Sequence, residues 1–385
     1  MTGPACQPPR RGYPLVTEVM DVRKVGVEEE LLVVDPRSGE PRALASAVLA
    51  LAAGSRTEEA PFQAELCGEM LEFATSPQRG MDELADEIAR LRAEAAHHAE
   101  RIGAAVAALA TSPLPVSPTL NAGDRYRWMA RRFGLTAQEQ LTCGCHVHVE
   151  VDSDEEGVGV LDRTRAWLPV ILAISGNSPF WQGRDSGYSS YRQRVWGRWP
   201  SAGPTEIFGS AARYHAEVAA MVATGVLHDK GMVYFDARLS HHYPTVEFRV
   251  ADVCLDASTT VVLAALIRAL TETAARQWAA GEPAPRIGVR LLGMAAWQAA
   301  RSGLADTLVH PVTWRPAPAA TVVGALVDHV RDALENNGDG ALVTEGLGRL
   351  LPLRGGAGIQ RDLFEETGSL QDVVLACVKR TAAAP

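Results

Sequence analysis

Four short segments, far apart in the chain, place acidic or histidine residues on a strand pattern. They are Val25–Val34 (VGVEEELLVV), Glu65–Ala74 (ELCGEMLEFA), Cys143–Val151 (CGCHVHVEV) and Thr245–Val250 (TVEFRV). Side chains on a strand alternate between its two faces. Glu28 and Glu30 therefore share one face, and Val27, Glu29 and Leu31 the other. In the same way His146, His148 and Glu150 oppose Val147, Val149 and Val151, while Glu247 and Arg249 oppose Val246, Phe248 and Val250. The chain must build a sheet with one apolar face and one lined by Glu, His and Arg, a surface suited to hard divalent cations and phosphates.

Each segment has a plain reading beside the chemical one. Glu28 and Glu30, about 7 Å apart along a strand, can reach one ion or two adjacent ions, or can be surface charge on an edge strand. Glu29 falls on the apolar side, where an unpaired carboxylate is costly, so a partner Arg or an edge position is expected. Glu65 and Glu72 differ in parity, so a regular strand would separate them unless Gly68 hosts a bulge. His146 and His148 on one face can be ligands, or satisfied core histidines. Glu247 and Arg249 can be a simple ion pair. Beside other acids, Arg249 is better explained as a two-pronged clamp for carboxylate or phosphate, as are Arg192 and Arg194.

Composition narrows the class. With 37 basic and 46 acidic residues the net charge is −9, which argues against nucleic acid or an anionic membrane as the main partner. No run of about 18 uncharged apolar residues is present; the longest candidate, Val261–Leu270, is interrupted by Arg268. The N-terminal MTGPACQPPRRGYP lacks an apolar core segment, so no secretory signal is expected, and residues 1–22 are expected to be poorly ordered. Six scattered cysteines then imply a reduced, cytoplasmic protein. Cys143 and Cys145 leave a soft zinc site open, although no second Cys or His pair stands at suitable spacing.

The spacing of apolar residues predicts helices over Leu44–Ala53, Met81–Ala110, Arg163–Ser175, Thr205–Gly225, Ser258–Ala280, Val289–Ser302, Thr321–Asn336 and Gln360–Val378. Gly123–Gly134 (GDRYRWMARRFG) is a basic, aromatic stretch, and Ser178–Pro204 a long functional loop rich in Arg, Trp and Tyr. Met232–Ser240 and Thr245–Val253 read as paired strands, the first carrying Tyr234, Asp236 and Arg238 on one face. Gly355–Gly358 follows no strand signal and reads as loop. Strands and helices mix without a βαβ rhythm, so the expected class is α+β with an antiparallel sheet, residues 23–385 forming one domain with a helical C-terminal part. P-loop, dinucleotide, zincin and serine-hydrolase motifs are absent from the sequence.

Five ordered stretches carry a resemblance: Gly26–Asp35 (GVEEELLVVD), Gly144–Val149 (GCHVHV), Asn177–Gly183 (NSPFWQG), Asp185–Arg192 (DSGYSSYR) and Thr245–Asp252 (TVEFRVAD). Together they resemble the glutamate–cysteine ligase type 2 family, from about Lys24 to Gln277. The resemblance implies a glutamine synthetase-like fold, in which a curved antiparallel sheet forms the active-site wall and helices pack outside. It implies ATP and Mg²⁺ as cofactors, with Glu28, Glu30, Glu65, Glu72 and Glu247 as metal-binding carboxylates and His146, Arg192 and Arg249 as catalytic. His148, Arg238, Tyr188 and Ser189 are expected at the nucleotide, the last two lying with Arg192 in a segment that the family places near substrate. The implied activity is ATP-dependent ligation of a carboxylate to an amine through an acyl phosphate, nominally glutamate plus cysteine to γ-glutamylcysteine, in a protein able to form a homodimer. Two other readings stand beside it: a metal-dependent hydrolase using His146 and His148, and a non-catalytic nucleotide- or amino-acid-binding protein on the same fold.

Overall fold

The structure, a computed structural model, describes residues 22–54 and 61–383; the N-terminal residues 1–21, expected above to be poorly ordered, lie outside it. Seven strands form one sheet: β1 (Val25–Val34), β2 (Phe62–Ala64), β3 (Met70–Ala74), β4 (Ala105–Ala107), β5 (Gly144–Glu150), β6 (Ala237–Leu239) and β7 (Thr245–Asp252). Their order is β2-β3-β1-β5-β7-β6, with β4 pairing the end of β1, and every pairing is antiparallel. The expected α+β class with an antiparallel sheet is what forms.

The apolar face is buried as the alternation requires: Val27, Leu31, Val147, Val149, Val246 and Phe248 are at most 1 % exposed. Helices Leu168–Ser175 and Ala257–Ala279 pack on the central strands, and Met81–Glu100 packs on Ala257–Ala279. Ala257–Ala279 is long and apolar enough to cross a membrane, but 83 % of its most apolar stretch is buried inside the protein. Its Arg268 is paired with Asp339 at 2.6 Å. It is the core helix of this fold.

Glu29 is fully buried on the apolar side, as its parity demands, and a partner Arg offsets it. Arg92, on the buried stripe of Met81–Glu100, donates to both carboxylate oxygens at 2.7 and 2.8 Å. The remaining guanidinium donors reach the carbonyls of Cys254 and Leu255, and the Thr260 hydroxyl donates to Glu29. The pair thus ties β1 to two helices.

Several boundaries differ from the sequence-based expectation, each for a local reason. The helix from Met81 stops at Glu100, because Gly103 takes a left-handed conformation (φ +70°) and Ala105–Ala107 pairs with Leu32–Val34 instead of continuing the helix. Glu65–Ala74 is not one strand: β2 and β3 pair with each other across the turn between them, so parity along a single strand does not govern Glu65 and Glu72. Arg163–Ser175 is broken between Asp154–Thr164 and Leu168–Ser175, the second beginning with Pro169 in its first turn. Met232–Ser240 is a strand only over Ala237–Leu239. The Ser178–Pro204 loop holds a helix, Tyr191–Trp196, capped by the Ser190 hydroxyl. Gly355–Gly358 is not loop but the first turn of helix Gly355–Thr367. There a Cβ on Gly356 would stand 2.4 Å from the Asn177 amide oxygen, so the close approach needs glycine.

Replacing Arg92 with Met strands the Glu29 carboxylate in the core and is expected to cost about 3–5 kcal/mol. The double replacement Glu29→Leu with Arg92→Met is expected to regain most of that. Urea denaturation of the three proteins checks both values; a single variant as stable as the parent contradicts them.

Candidate active site

Register, not proximity in sequence, assembles the polar face. Glu28 on β1 stands opposite His146 on β5, and Glu30 opposite Glu72 on β3. Glu247 on β7 stands between His148 on β5 and Arg238 on β6. Such directly opposed residues lie within side-chain reach. The Glu28 carboxylate bridges both histidines, 3.1 Å from His146 Nδ1 and 3.2 Å from His148 Nε2. Arg238 donates to both oxygens of Glu247 at 2.7 and 3.1 Å, and Arg249 pairs with the same carboxylate. A shift of register between Cys145 and Val147 gives β7 one residue more than β5 across this stretch.

Ligand atoms converge in two overlapping groups, Glu28 with Glu72 and His146, and Glu28 with His148 and Glu247, each within 4.8 Å. Glu28 is common to both, the arrangement expected of two neighbouring cations sharing a bridging carboxylate. The donor set is mainly carboxylate oxygen, which suits Mg²⁺. Buried nitrogens in the same cluster, His146 Nε2 and Arg249 Nε among them, have no hydrogen-bond partner within the protein, so the site presents both ligand and anion-binding capacity.

The titration behaviour follows from crowding five carboxylates under a roof of few cations. Burial, then the neighbouring Glu65 charge, pushes Glu30 up to about 7 even though Gly144 N–H donates to it at 2.5 Å. Burial and then Glu65, which is also hydrogen-bonded to it, raise Glu72 well above the usual carboxylate range. For Glu28 burial acts upward, but the two histidines outweigh it and hold the carboxyl well below that range. Glu247 is likewise held down by Arg249 and Arg238 against burial. Burial and then Arg249 depress His146 to about 4, so its imidazole is neutral at pH 7 and able to act as a ligand.

Of the residues singled out from sequence, Glu28, Glu30, Glu65, Glu72, His146, His148, Arg238, Glu247 and Arg249 all line one open cavity of about 290 Å³. The structure places three others outside its lining. Arg192 lies beneath it, with its guanidinium over Gly144, where a Cβ would come within 2.3 Å of Nη2. Tyr188 packs on Tyr191 and Trp297, and the Ser189 side chain lies against Gly303. The donors of Arg238 are committed to Glu247 and to the carbonyls of Gly231 and Val233. Glu69 turns away, its carboxylate accepting from Thr119 N–H at 3.1 Å. Cys143 and Cys145 are buried free thiols in neither ligand group, so the zinc option finds no support among the described residues. Sequence reasoning missed Gln140 in the lining, and had noted Arg125, Tyr126 and Met129 only as part of a basic, aromatic stretch and Trp196 and Trp199 only as part of a long aromatic loop.

Residues 24–376 match the model of glutamate–cysteine ligase family 2 (GCS2). The chain belongs to this family. A relative from Streptomyces coelicolor, which bears the name glutamate–cysteine ligase 2 provisionally, is 62 % identical over 363 residues, covering 94 % of this chain and all of the relative. A similarly named relative from Paenarthrobacter aurescens is 46 % identical, covering 94 % of this chain and 95 % of its own. Two solved structures share the fold at low identity. One is the Francisella tularensis glutamate–cysteine ligase in complex with AMP (13 % identity, TM-score 0.66, covering 94 % of this chain and 88 % of that one). The other is a bifunctional glutathione synthetase from Pasteurella multocida (15 % identity, TM-score 0.71, covering 95 % and 53 %). The sheet with its polar wall is therefore the glutamate–cysteine ligase fold expected from the sequence.

Glu30 and Glu65, expected from sequence as metal ligands, belong to neither ligand group. A carboxyl whose folded pKa is raised must lose its proton before it can coordinate a cation, so a metal held by Glu72 would release a proton on binding. Mg²⁺ titrated into metal-free protein at pH 7 is expected to give a calorimetric heat that grows with the ionisation enthalpy of the buffer, and an affinity that falls from pH 8 to pH 6. Heat independent of the buffer contradicts the assignment.

Proposed function

We propose that this protein joins glutamate, through a carboxyl group, to the amine of cysteine or of another amino compound, with Mg²⁺ as the metal and residues 23–385 acting as one cytoplasmic catalytic unit. The chain is an ATP-dependent carboxylate–amine ligase by its family. Its substrates would be free amino acids or other small-molecule amines. In such a ligation the acid's carboxylate takes the γ-phosphoryl group of ATP, releasing ADP. The amine nitrogen then forms the C–N bond as the C–O bond to phosphate breaks, and phosphate and a proton leave.

The observation that carries this reading is the pair of ligand groups sharing Glu28, with Arg249 beside them. Bound Mg²⁺ would neutralise phosphate charge and hold the oxygens in line. Glu28, Glu72 and His146 would hold one ion, and Glu28, His148 and Glu247 another. Arg249, fixed through Glu247 and left with an unpaired Nε, would take charge developing on the transferring group. Arg238 acts through Glu247, holding that carboxylate in place for Arg249 and the metal. Little covalent work falls to the protein, and positioning with charge stabilisation supplies the rate. The hydrolase reading loses ground because both histidines are bound to Glu28 inside a carboxylate-rich wall.

The test is ADP release from Mg²⁺-ATP with glutamate, with and without cysteine and then a panel of amines, with the new amide identified by mass spectrometry. Release that requires both partners is expected. Glu247→Gln is expected to lower the rate about a hundred- to a thousand-fold, with far-UV circular dichroism unchanged. A Glu247→Gln protein that turns over at near wild-type rate would sink the metal assignment.

A further inference from the structure

The cavity has two unlike ends. One is the carboxylate wall. The other is built from Met129, Trp196, Trp199 and Tyr234, which the mechanism above leaves unused. These are held rigidly: Trp196 lies 4.8 Å from Tyr234 and Trp199 5.6 Å from it, and Phe133 braces Trp199 edge-on at 5.0 Å. Trp199 is 2 % exposed and Met129 3 %, yet both line the cavity. The Trp199 indole N–H is buried without an acceptor in the protein. A buried donor left unpaired is costly, which marks it for a ligand oxygen or nitrogen. Arg125 lines the same cavity and keeps guanidinium donors beyond its ion pair with Asp229.

We propose that this aromatic end seats the amine substrate, and that the amine is an α-amino acid with a bulky apolar side chain. The side chain would pack on Met129, Trp196 and Tyr234, and its carboxylate would accept from Trp199 and Arg125. This rests on the ligase reading of the same cavity. Position selects the amine over the other substrates. Trp196 lies against Arg249, whose guanidinium carbon is 5.7 Å from the ring centre, so the aromatic end begins one ring away from the group that serves the transferring phosphoryl. The amine must touch the acyl carbon there. The adenine ring of ATP is separated from that point by the rest of the triphosphate and the ribose. Glutamate, with two carboxylates, has no apolar body to fill such a seat. A pocket of this kind discriminates by apolar volume, at roughly tenfold or more per missing methylene group.

The wild-type protein is assayed with saturating Mg²⁺-ATP and glutamate against leucine, phenylalanine, cysteine, alanine and serine. kcat/KM for leucine or phenylalanine is expected to exceed that for cysteine, alanine and serine by about tenfold or more. Trp199→Phe is expected to raise the KM of the favoured amine about tenfold, with the KM of ATP unmoved. A preference for cysteine, alanine or serine overturns the pocket assignment and leaves the ligase reading standing. So does a Trp199→Phe effect on ATP rather than on the amine. Absence of ADP formation with every glutamate–amine pair overturns both. Should Trp199→Phe misfold, the wild-type amine series decides alone.

Discussion

Three consecutive carboxylates on a central strand cannot all face water, and the burial of the middle one is the constraint on which the site rests. Glu29 must enter the core if Glu28 and Glu30 are to enter the cavity. Its pairing with Arg92 makes that possible and fixes the register of β1 against helices Met81–Glu100 and Ala257–Ala279. A one-residue slip of β1 would put two carboxylates into the core and leave a single one in the site. The buried pair is therefore best understood as a device of specificity. Ion pairs of this kind add little net stability over well-packed apolar residues, yet are costly to break.

The second constraint is mutual repulsion among Glu28, Glu30, Glu65, Glu72 and Glu247. The fold meets it in three ways. Glu28 shares its charge with two imidazoles, Glu247 is neutralised by two guanidiniums, and Glu30 and Glu72 hold on to protons. The two held down by their partners keep their charge, and in the proposed site they would define where a cation sits. Of the two pushed upward, Glu72 would exchange a proton for a cation, while Glu30 accepts from Gly144 N–H.

Period-2 alternation was enough to read most of the polar wall, since β1 is regular through Val25–Val34 and β5 pairs with β7 in unbroken register from Val147–Phe248 to Glu150–Thr245, the bulge lying beyond that stretch. Where local geometry departs from the period, the reading blurred. Glu65 reaches Glu72 from the turn between two paired strands, which parity cannot represent. Arg92 looked like one polar residue on an amphipathic helix, because its partner is 63 positions away. Alanine-rich 101–110 favours helix by propensity, yet its Ala105–Ala107 becomes strand through pairing with β1, a tertiary effect that no local pattern records. Trp199 and Met129 could be noted only as members of an aromatic loop and a basic, aromatic stretch, because apolar side chains at helical or loop positions look alike whether they face a core or a ligand.

The segment around Tyr188 and Ser189 shows how a family motif can serve a site without lining it. Asp252, at the end of β7 and fully buried, accepts from the hydroxyls of Ser178 and Ser190 at 2.7 Å and from Asn177 N–H at 2.9 Å. The Ser178 hydroxyl in turn accepts from Arg192 N–H at 3.0 Å, and the Arg192 guanidinium approaches Asp252. Upstream, Ser189 and Ser190 N–H groups donate to the Ala300 carbonyl, and Trp297 donates to the Tyr188 hydroxyl at 3.3 Å. The two loop motifs thus lock onto the end of β7 and onto helix Val289–Ser302, and what they deliver is one guanidinium, that of Arg192. It sits over Gly144, whose N–H is held by Glu30, and lies 5.6 Å from the Trp196 ring that also carries Arg249. Positive charge is thereby brought to the carboxylate wall from beneath, where it lowers the Glu30 carboxyl against burial. In the proposed ligase the long loop would act on the chemistry through that charge, with Tyr188 and Ser189 as its anchors.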